Sequence, residues 1–180
     1  MHRLFIAIDL SDEDKKRIGS ICYGLPETRW IPEEQIHLTL RFIGEVDGAA
    51  YRRIIDALGE VRSEPFELKV RGIGHFPPRR TPRVLWLGLD KREALLQLRR
   101  RIEAKLQQTG LAPEGRKFSP HITIARFKNP PLTKVASFMA AHNLFELPAF
   151  RAEEFHLYSS HLTSSGAIHT IEASYPLRAK

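Results

Sequence analysis

The sequence predicts a chain of mixed α and β structure, built as two similar lobes that each hold a sheet backed by helices. Two observations carry this prediction. Segments of period-two alternation are interleaved with helical segments bounded by capping residues. The order of these segments in the first half of the chain also recurs in the second: "RLFIAIDL" (3–10), a helix and "HLTLRF" (37–42) are matched by "RVLWLGLD" (83–90), a helix and "HITIARF" (121–127). Arg3 to His37 is 34 positions and Arg83 to His121 is 38. Two copies of so long a unit suit two lobes of one domain over residues 1–180, not a solenoid. A groove between such lobes is a natural place for a site.

In chain order, "RLFIAIDL" reads as a buried strand, and "SDED" then opens a helix to about Cys22, with Ser11 as cap, Asp14 three residues on and Lys15, Lys16 and Arg17 following the acids. A loop holding Pro26, Trp30 and Pro32 leads to the "HLTLRF" strand, and a helix over 48–62 follows, with Ile54, Ile55, Leu58 and Val61 on its apolar side. "FELKVRGIG" (66–74) alternates as a half-buried strand, and "HFPPRRTPR" (75–83) reads as a loop. "RVLWLGLD" leads into the helix "KREALLQLRRRIEAKLQQ", with Asp90 as cap, Glu93 three on and Gly110 beyond its end. After "HITIARF" come a helix near 133–142 and two alternating segments, 151–160 and 167–177, joined by "TSSG" turning at Gly166.

Composition narrows the class. With 180 residues and 42% hydrophobic content the chain can bury its own core. Its 28 Lys+Arg against 21 Asp+Glu give +7 and favour polyanionic partners such as nucleic acid. The single cysteine, Cys22, rules out an intramolecular disulfide and a multi-thiolate zinc site, and its apolar neighbours suggest a packed thiol. "LFIAI" is too short for a signal peptide or membrane span, so the expectation is a soluble, cytoplasmic protein.

Residues two apart on a strand share a face, roughly 7 Å apart. His37 therefore sides with Thr39, and His121 with Thr123, while Leu38, Leu40, Phe42, Ile122 and Ile124 are expected in the core. A solvated face or a hydrogen-bonded structural histidine would account for either copy alone. Two copies at matching places point to shared chemistry. Imidazole titrates near neutrality, so a pair can supply one base and one acid. Flanking a phosphodiester, the base would deprotonate an attacking water or hydroxyl and the acid would protonate the leaving oxygen. The threonine hydroxyls would hold the non-bridging oxygens, with no nucleophilic side chain or metal required.

"HLTL" and "HITI", with "RLFIAID" before them, "FPPRRTPRVLWLGL" between and "FSPHITIAR" at the second site, resemble the two-histidine (2H) phosphoesterases over nearly the whole chain, most closely the RNA 2′,3′-cyclic phosphodiesterase family, historically called 2′-5′ RNA ligase. The resemblance implies a bilobal α+β fold with two antiparallel sheets facing each other across a groove. It implies metal-independent, cofactor-free opening of RNA or nucleotide 2′,3′-cyclic phosphates toward a 2′-phosphate. Carried over by position, His37 is the general acid, His121 the general base, and Thr39, Thr123 and Arg126 bind the phosphate. Strict alternation puts Arg126 on the face opposite His121, so the strand must end, twist or bulge near Ala125.

Other residues are open to two readings. Arg41 shares the His37 face under ideal alternation and is either a surface charge or a nucleotide contact. Phe42 matches a family position near the site, but alternation assigns it to the core. Arg79, Arg80 and Arg83 either reach RNA phosphates or solubilise a loop. Phe155 and Tyr158 are out of phase and cannot both be stacking platforms, whereas His156 and Tyr158 share a face. His2, His75, His142, His156, His161 and His169 lack zinc-type spacing and read as surface or structural. Two further activities fit the same residues: 2′-5′ RNA ligation by the reverse reaction, and non-catalytic binding of RNA ends. A metal hydrolase built on His37 and His121 lacks an obvious carboxylate to complete its ligand set. A monomer is expected, because the duplication already supplies an internal pseudo-dimer.

Overall fold

The computed structural model describes residues 1–90, 93–164 and 166–178. Its elements run β1 (His2–Asp9), α1 (Asp12–Gly19), β2 (Thr28–Trp30), a 3-10 turn (Glu33–Gln35), β3 (His37–Val46), α2 (Gly48–Gly59), β4 (Phe66–Phe76), β5 (Val84–Asp90), α3 (Glu93–Gln108), β6 (Ile122–Phe127), α4 (Leu132–Ala141), β7 (Phe150–Ala152), β8 (Glu154–Thr163) and β9 (Gly166–Pro176). The first two helices start at side-chain caps. Ser11 Oγ accepts from the Asp14 amide at 3.1 Å, and Asp47 accepts from the Ala50 amide at 2.7 Å. Beyond α3, Gly110 takes φ +90°, a left-handed conformation that ends the helix without the strain a Cβ would bring. The start expected for α3 runs through Lys91 and Arg92, and the turn expected between β8 and β9 through Ser165; these lie outside the described residues.

The strands pair antiparallel in the order β7-β4-β5-β6-β3-β1-β8-β9, with β2 added on β6. The two halves of the sheet meet between β3 and β6 at one register pair, Leu38 opposite Ile122. On either side lie β1, β8 and β9, and β5, β4 and β7. The strands carrying the two histidine motifs are thus neighbours at the seam. Their antiparallel direction sets His37 toward Thr123 and Thr39 toward His121. Ile18, Ile54, Leu58, Leu95, Leu98, Ile102, Leu106 and Val135 of the four helices join Leu38, Leu40, Ile122 and Ile124 in one buried core. Phe5, Ala7 and Tyr158 form a second, smaller cluster.

Period-two alternation breaks at equivalent points of β3 and β6. Opposite β1, Ile6 pairs with Arg41 but Ala7 with Thr39; opposite β5, Leu85 pairs with Ala125 but Trp86 with Thr123. Each is a one-residue bulge, which turns two successive side chains away from the groove and the next one toward it. Leu40 and Arg41 both face the helices, as do Ile124 and Ala125. Phe42 and Arg126 then face the groove.

This overturns two expectations. Phe42 is not core but 53% exposed. Arg41 is neither a free surface charge nor a groove residue: its Nε lies 3.2 Å from Glu103 Oε2 and its Nη1 3.0 Å from Glu114 Oε2. The bulge beyond Leu40 is the reason in both cases. It also brings Arg126 to the groove, as the sequence required.

Candidate functional site

A groove of about 1180 Å³ runs along the seam, and His37, Thr39, His121, Thr123 and Arg126 all line it. The two histidines are held alike. His37 Nδ1 lies 2.7 Å from the carbonyl oxygen of Gln35, and His121 Nδ1 lies 2.7 Å from that of Ser119. A carbonyl only accepts, so Nδ1 carries the hydrogen in both rings and leaves Nε2 for the groove. His37 Nε2 meets the Thr39 hydroxyl at 3.0 Å. Each ring also packs on a phenylalanine of its own lobe, Phe5 at 5.0 Å from His37 and Phe76 at 4.9 Å from His121, measured between ring centroids. A proton acceptor and a proton donor, each aimed by a backbone carbonyl, can thereby face one bound group from the two lobes.

Burial is the main electrostatic influence on both rings. It pushes the His37 pKa down from 6.5 to about 4, opposed by the Gln35 carbonyl and reinforced by nearby His169. Burial also lowers His121, the Ser119 carbonyl opposes it, and the Arg126 guanidinium adds to the lowering. Both imidazoles are therefore neutral near pH 7. Among the described residues, no three His, Cys, Asp or Glu side chains gather to hold a metal ion. No described helix is long and apolar enough to cross a membrane.

The remaining candidates separate clearly. β4 runs on through His75 and Phe76, two residues further than the expected loop boundary, and Arg79 and Arg80 are exposed on the loop that follows and do not line the groove; Arg83 donates to the Lys128 carbonyl. Tyr158 is buried, stacked 5.0 Å from Phe5, and so backs the His37 wall from below. Phe155 lies in the main core against Tyr175. His156 is buried with Nδ1 on Ser174 Oγ at 2.8 Å, not in the groove. Cys22 is half-buried, donates to the Ile18 carbonyl, and its pKa is pushed up to about 12 by burial, which suits a packed thiol.

Three groove residues had no signal in the sequence. His169, read as surface or structural, lines the groove with its ring edge-on to that of His37, 5.5 Å away between centroids. Gln35 aims His37 through its carbonyl, and its side chain donates to the Ala167 carbonyl at 2.6 Å, pinning the tip of the β8–β9 hairpin. Arg29 enters on β2, within a stretch that reads as loop, and lies in register opposite Arg126.

A family model described as the 2′-5′ RNA ligase superfamily matches residues 12–163. Relatives named RNA 2′,3′-cyclic phosphodiesterase include one from Methanothermobacter thermautotrophicus, 33% identical over 93% of this chain and 95% of its own, and one from Thermotoga maritima, 36% identical over 94% and 92%. Among solved structures, TT0787 of Thermus thermophilus aligns with TM-score 0.81 and 28% identity over 99% of both chains. E. coli LigT complexed with 3′-AMP aligns with TM-score 0.80 and 25% identity over 98% of both.

Proposed function

The chain belongs to the 2′-5′ RNA ligase superfamily, and on that premise we propose that it hydrolyses 2′,3′-cyclic phosphates at RNA ends to 2′-phosphates, by paired histidine acid–base catalysis without a metal. The observation that carries this reading is the matched anchoring of the two imidazoles. Each spends Nδ1–H on a backbone carbonyl two residues earlier and turns Nε2 to the same groove. The names of the relatives support the substrate class.

In this reaction water attacks the phosphorus of the cyclic ester, giving its proton to His121 Nε2. The bond from phosphorus to the ribose 3′-oxygen breaks, and His37 Nε2, having taken up a proton from solvent when the anionic ester binds, protonates that oxygen as it leaves. The 2′-ester remains. Thr39, Thr123 and Arg126 hold the non-bridging oxygens, where negative charge must be stabilised through the transition state. Afterwards His121 holds a proton and His37 lacks one, and exchange with solvent resets both. One chain supplies both histidines, which is compatible with a monomer.

The test is turnover of an RNA oligonucleotide ending in a 2′,3′-cyclic phosphate in excess chelator, by the intact protein and by His37→Ala and His121→Ala. Chelator-resistant opening to the 2′-phosphate is expected, with each substitution costing about 10²–10⁴-fold, the range for a positioned acid or base. Turnover indifferent to both substitutions would overturn the assignment. So would a 3′-phosphate product.

A further inference from the structure

Arg29 and Arg126 stand directly opposite each other on β2 and β6. Side chains at such positions have Cβ atoms about 4.5–5.5 Å apart, and like charges there are destabilising unless something offsets them. Both arginines line the groove beside His121 and Thr123. Neither has a carboxylate partner among the described residues. Elsewhere in the chain Arg17, Arg41, Arg71 and Arg116 are each paired with an acid.

The β8–β9 hairpin borders Arg29. The tip of the β8–β9 hairpin reaches it so closely that a Cβ added at Gly166 would lie 2.7 Å from Arg29 Nη2. That tip is fastened by the bond from Gln35 to Ala167. An exposed guanidinium on the groove wall, bordered by the hairpin, across from a second arginine and with no acid partner among the described residues, is suited to an anion supplied from outside.

We propose that Arg29 binds a second phosphate of the substrate, the phosphodiester on the 5′ side of the terminal nucleotide, while the cyclic phosphate sits between the histidines within reach of Arg126. The inference rests on the proposed cyclic-phosphate reaction and refines its substrate class. The groove takes an RNA strand of at least two nucleotides in preference to a cyclic mononucleotide. β5 fills one edge of β6, and β3 and then β2 pair with the other, so the bound strand runs along the seam from the Leu38–Ile122 pair toward β2.

The experiment compares kcat/KM for a nucleoside 2′,3′-cyclic monophosphate, a dinucleotide ending in a 2′,3′-cyclic phosphate, and the same dinucleotide with an uncharged methylphosphonate linkage. Intact protein should favour the charged dinucleotide by about tenfold or more, the range of a charge-assisted hydrogen bond, and lose that preference with the methylphosphonate. Arg29→Gln should abolish the preference and Arg29→Lys keep part of it. The ratio between substrates is independent of how much protein is folded. An equal rate for charged and neutral linkages, or a full preference in Arg29→Gln, would overturn the proposal. If none of the three is turned over, the cyclic-phosphate reading itself fails. Arg29 is then tested by the salt dependence of affinity for a dinucleotide bearing a 3′-phosphate. Losing one single-strand phosphate contact should flatten the log–log slope by about 0.7 in Arg29→Gln, and an unchanged slope would refute the site.

Discussion

The Thr39 hydroxyl lies 3.0 Å from Nε2 of His37, the ring atom that faces the groove. Since Nδ1 holds the hydrogen, neutral His37 accepts this bond and Thr39 donates it. To give up a proton, Nε2 must first gain one, and Thr39 must then turn its own hydrogen elsewhere. A bound phosphate supplies both conditions. Its negative charge favours the imidazolium, and its oxygens take the threonine hydrogen bond.

Ligand binding should therefore carry a proton into the groove. In the free protein burial holds the His37 pKa at about 4, so at pH 6 the ring is neutral. Calorimetric titration of a nucleoside 3′-monophosphate, in buffers of different ionisation enthalpy, should register an uptake that His37→Gln removes. Identical heats of protonation in the two proteins would show that the proton goes to another group.

The same shift fixes a pH dependence of stability. Unfolded, His37 titrates near 6.5; folded, at about 4. Between these values the unfolded chain binds more protons, so stability rises with pH across the window and falls on acidification through it. Below pH 4 both states are protonated and the contribution is fully lost. The whole span is worth about 3 kcal/mol, from roughly 1.36 kcal/mol per pKa unit. Urea unfolding at pH 7 and pH 4.5 should show a drop that is smaller in His37→Gln.

Phe42→Ala separates a groove wall from a core. A core phenylalanine costs about 3–5 kcal/mol on truncation, whereas a side chain 53% exposed, as Phe42 is, should cost about 1 kcal/mol or less. Urea denaturation gives that figure directly, and a loss above about 3 kcal/mol would contradict the observed placement.

Gly74 is buried beneath Trp86, and a Cβ placed there would come within 2.3 Å of ring carbons Cη2 and Cζ2. The indole cannot yield easily: it packs 5.3 Å from Phe76, which in turn packs edge-on at 4.9 Å from His121. Gly74→Ala should cost about 1–3 kcal/mol by overpacking, shift tryptophan fluorescence, and lower turnover by moving the His121 wall. An unchanged unfolding midpoint together with an unchanged spectrum would refute this.

Arg41 ties β3 to the segment before β6. Besides its two acids it donates to the Ala112 carbonyl, its contact with Glu114 lies in the 111–116 stretch, and its side chain is 10% exposed. Arg41→Met leaves Glu103 without its nearest cation, while Glu114 keeps Arg116, and should destabilise by about 3 kcal/mol, as breaking a buried pair from one side does. The effect should appear in urea unfolding; a neutral substitution would show the pair to be solvated.

Much of this was legible in the chain itself. The cap at Ser11, the period-two strands and the repeated histidine–threonine spacing are local, and local sterics and hydrogen bonding suffice to produce them. His37, Thr39, His121 and Thr123 line one groove because each pair is two apart in extended chain, at the start of β3 and at the entry to β6, ahead of the bulges. The carbonyls that aim the two rings left no mark, since every residue has one.

What the tertiary structure alone decided are the features set by partner strands distant in sequence. Whether β3 and β6 bulge depends on the registers of β1 and β5, and those bulges sent Phe42 and Arg126 to the groove and Arg41 to the helices. β2 is only three residues long and is a strand because β6 lends it hydrogen bonds, so Arg29 could not be placed from its neighbours. His169 reached His37 through the pairing of β9 with β8 and of β8 with β1. Alternation is a property of a single strand, whereas register belongs to two, and only the folded sheet brings both together.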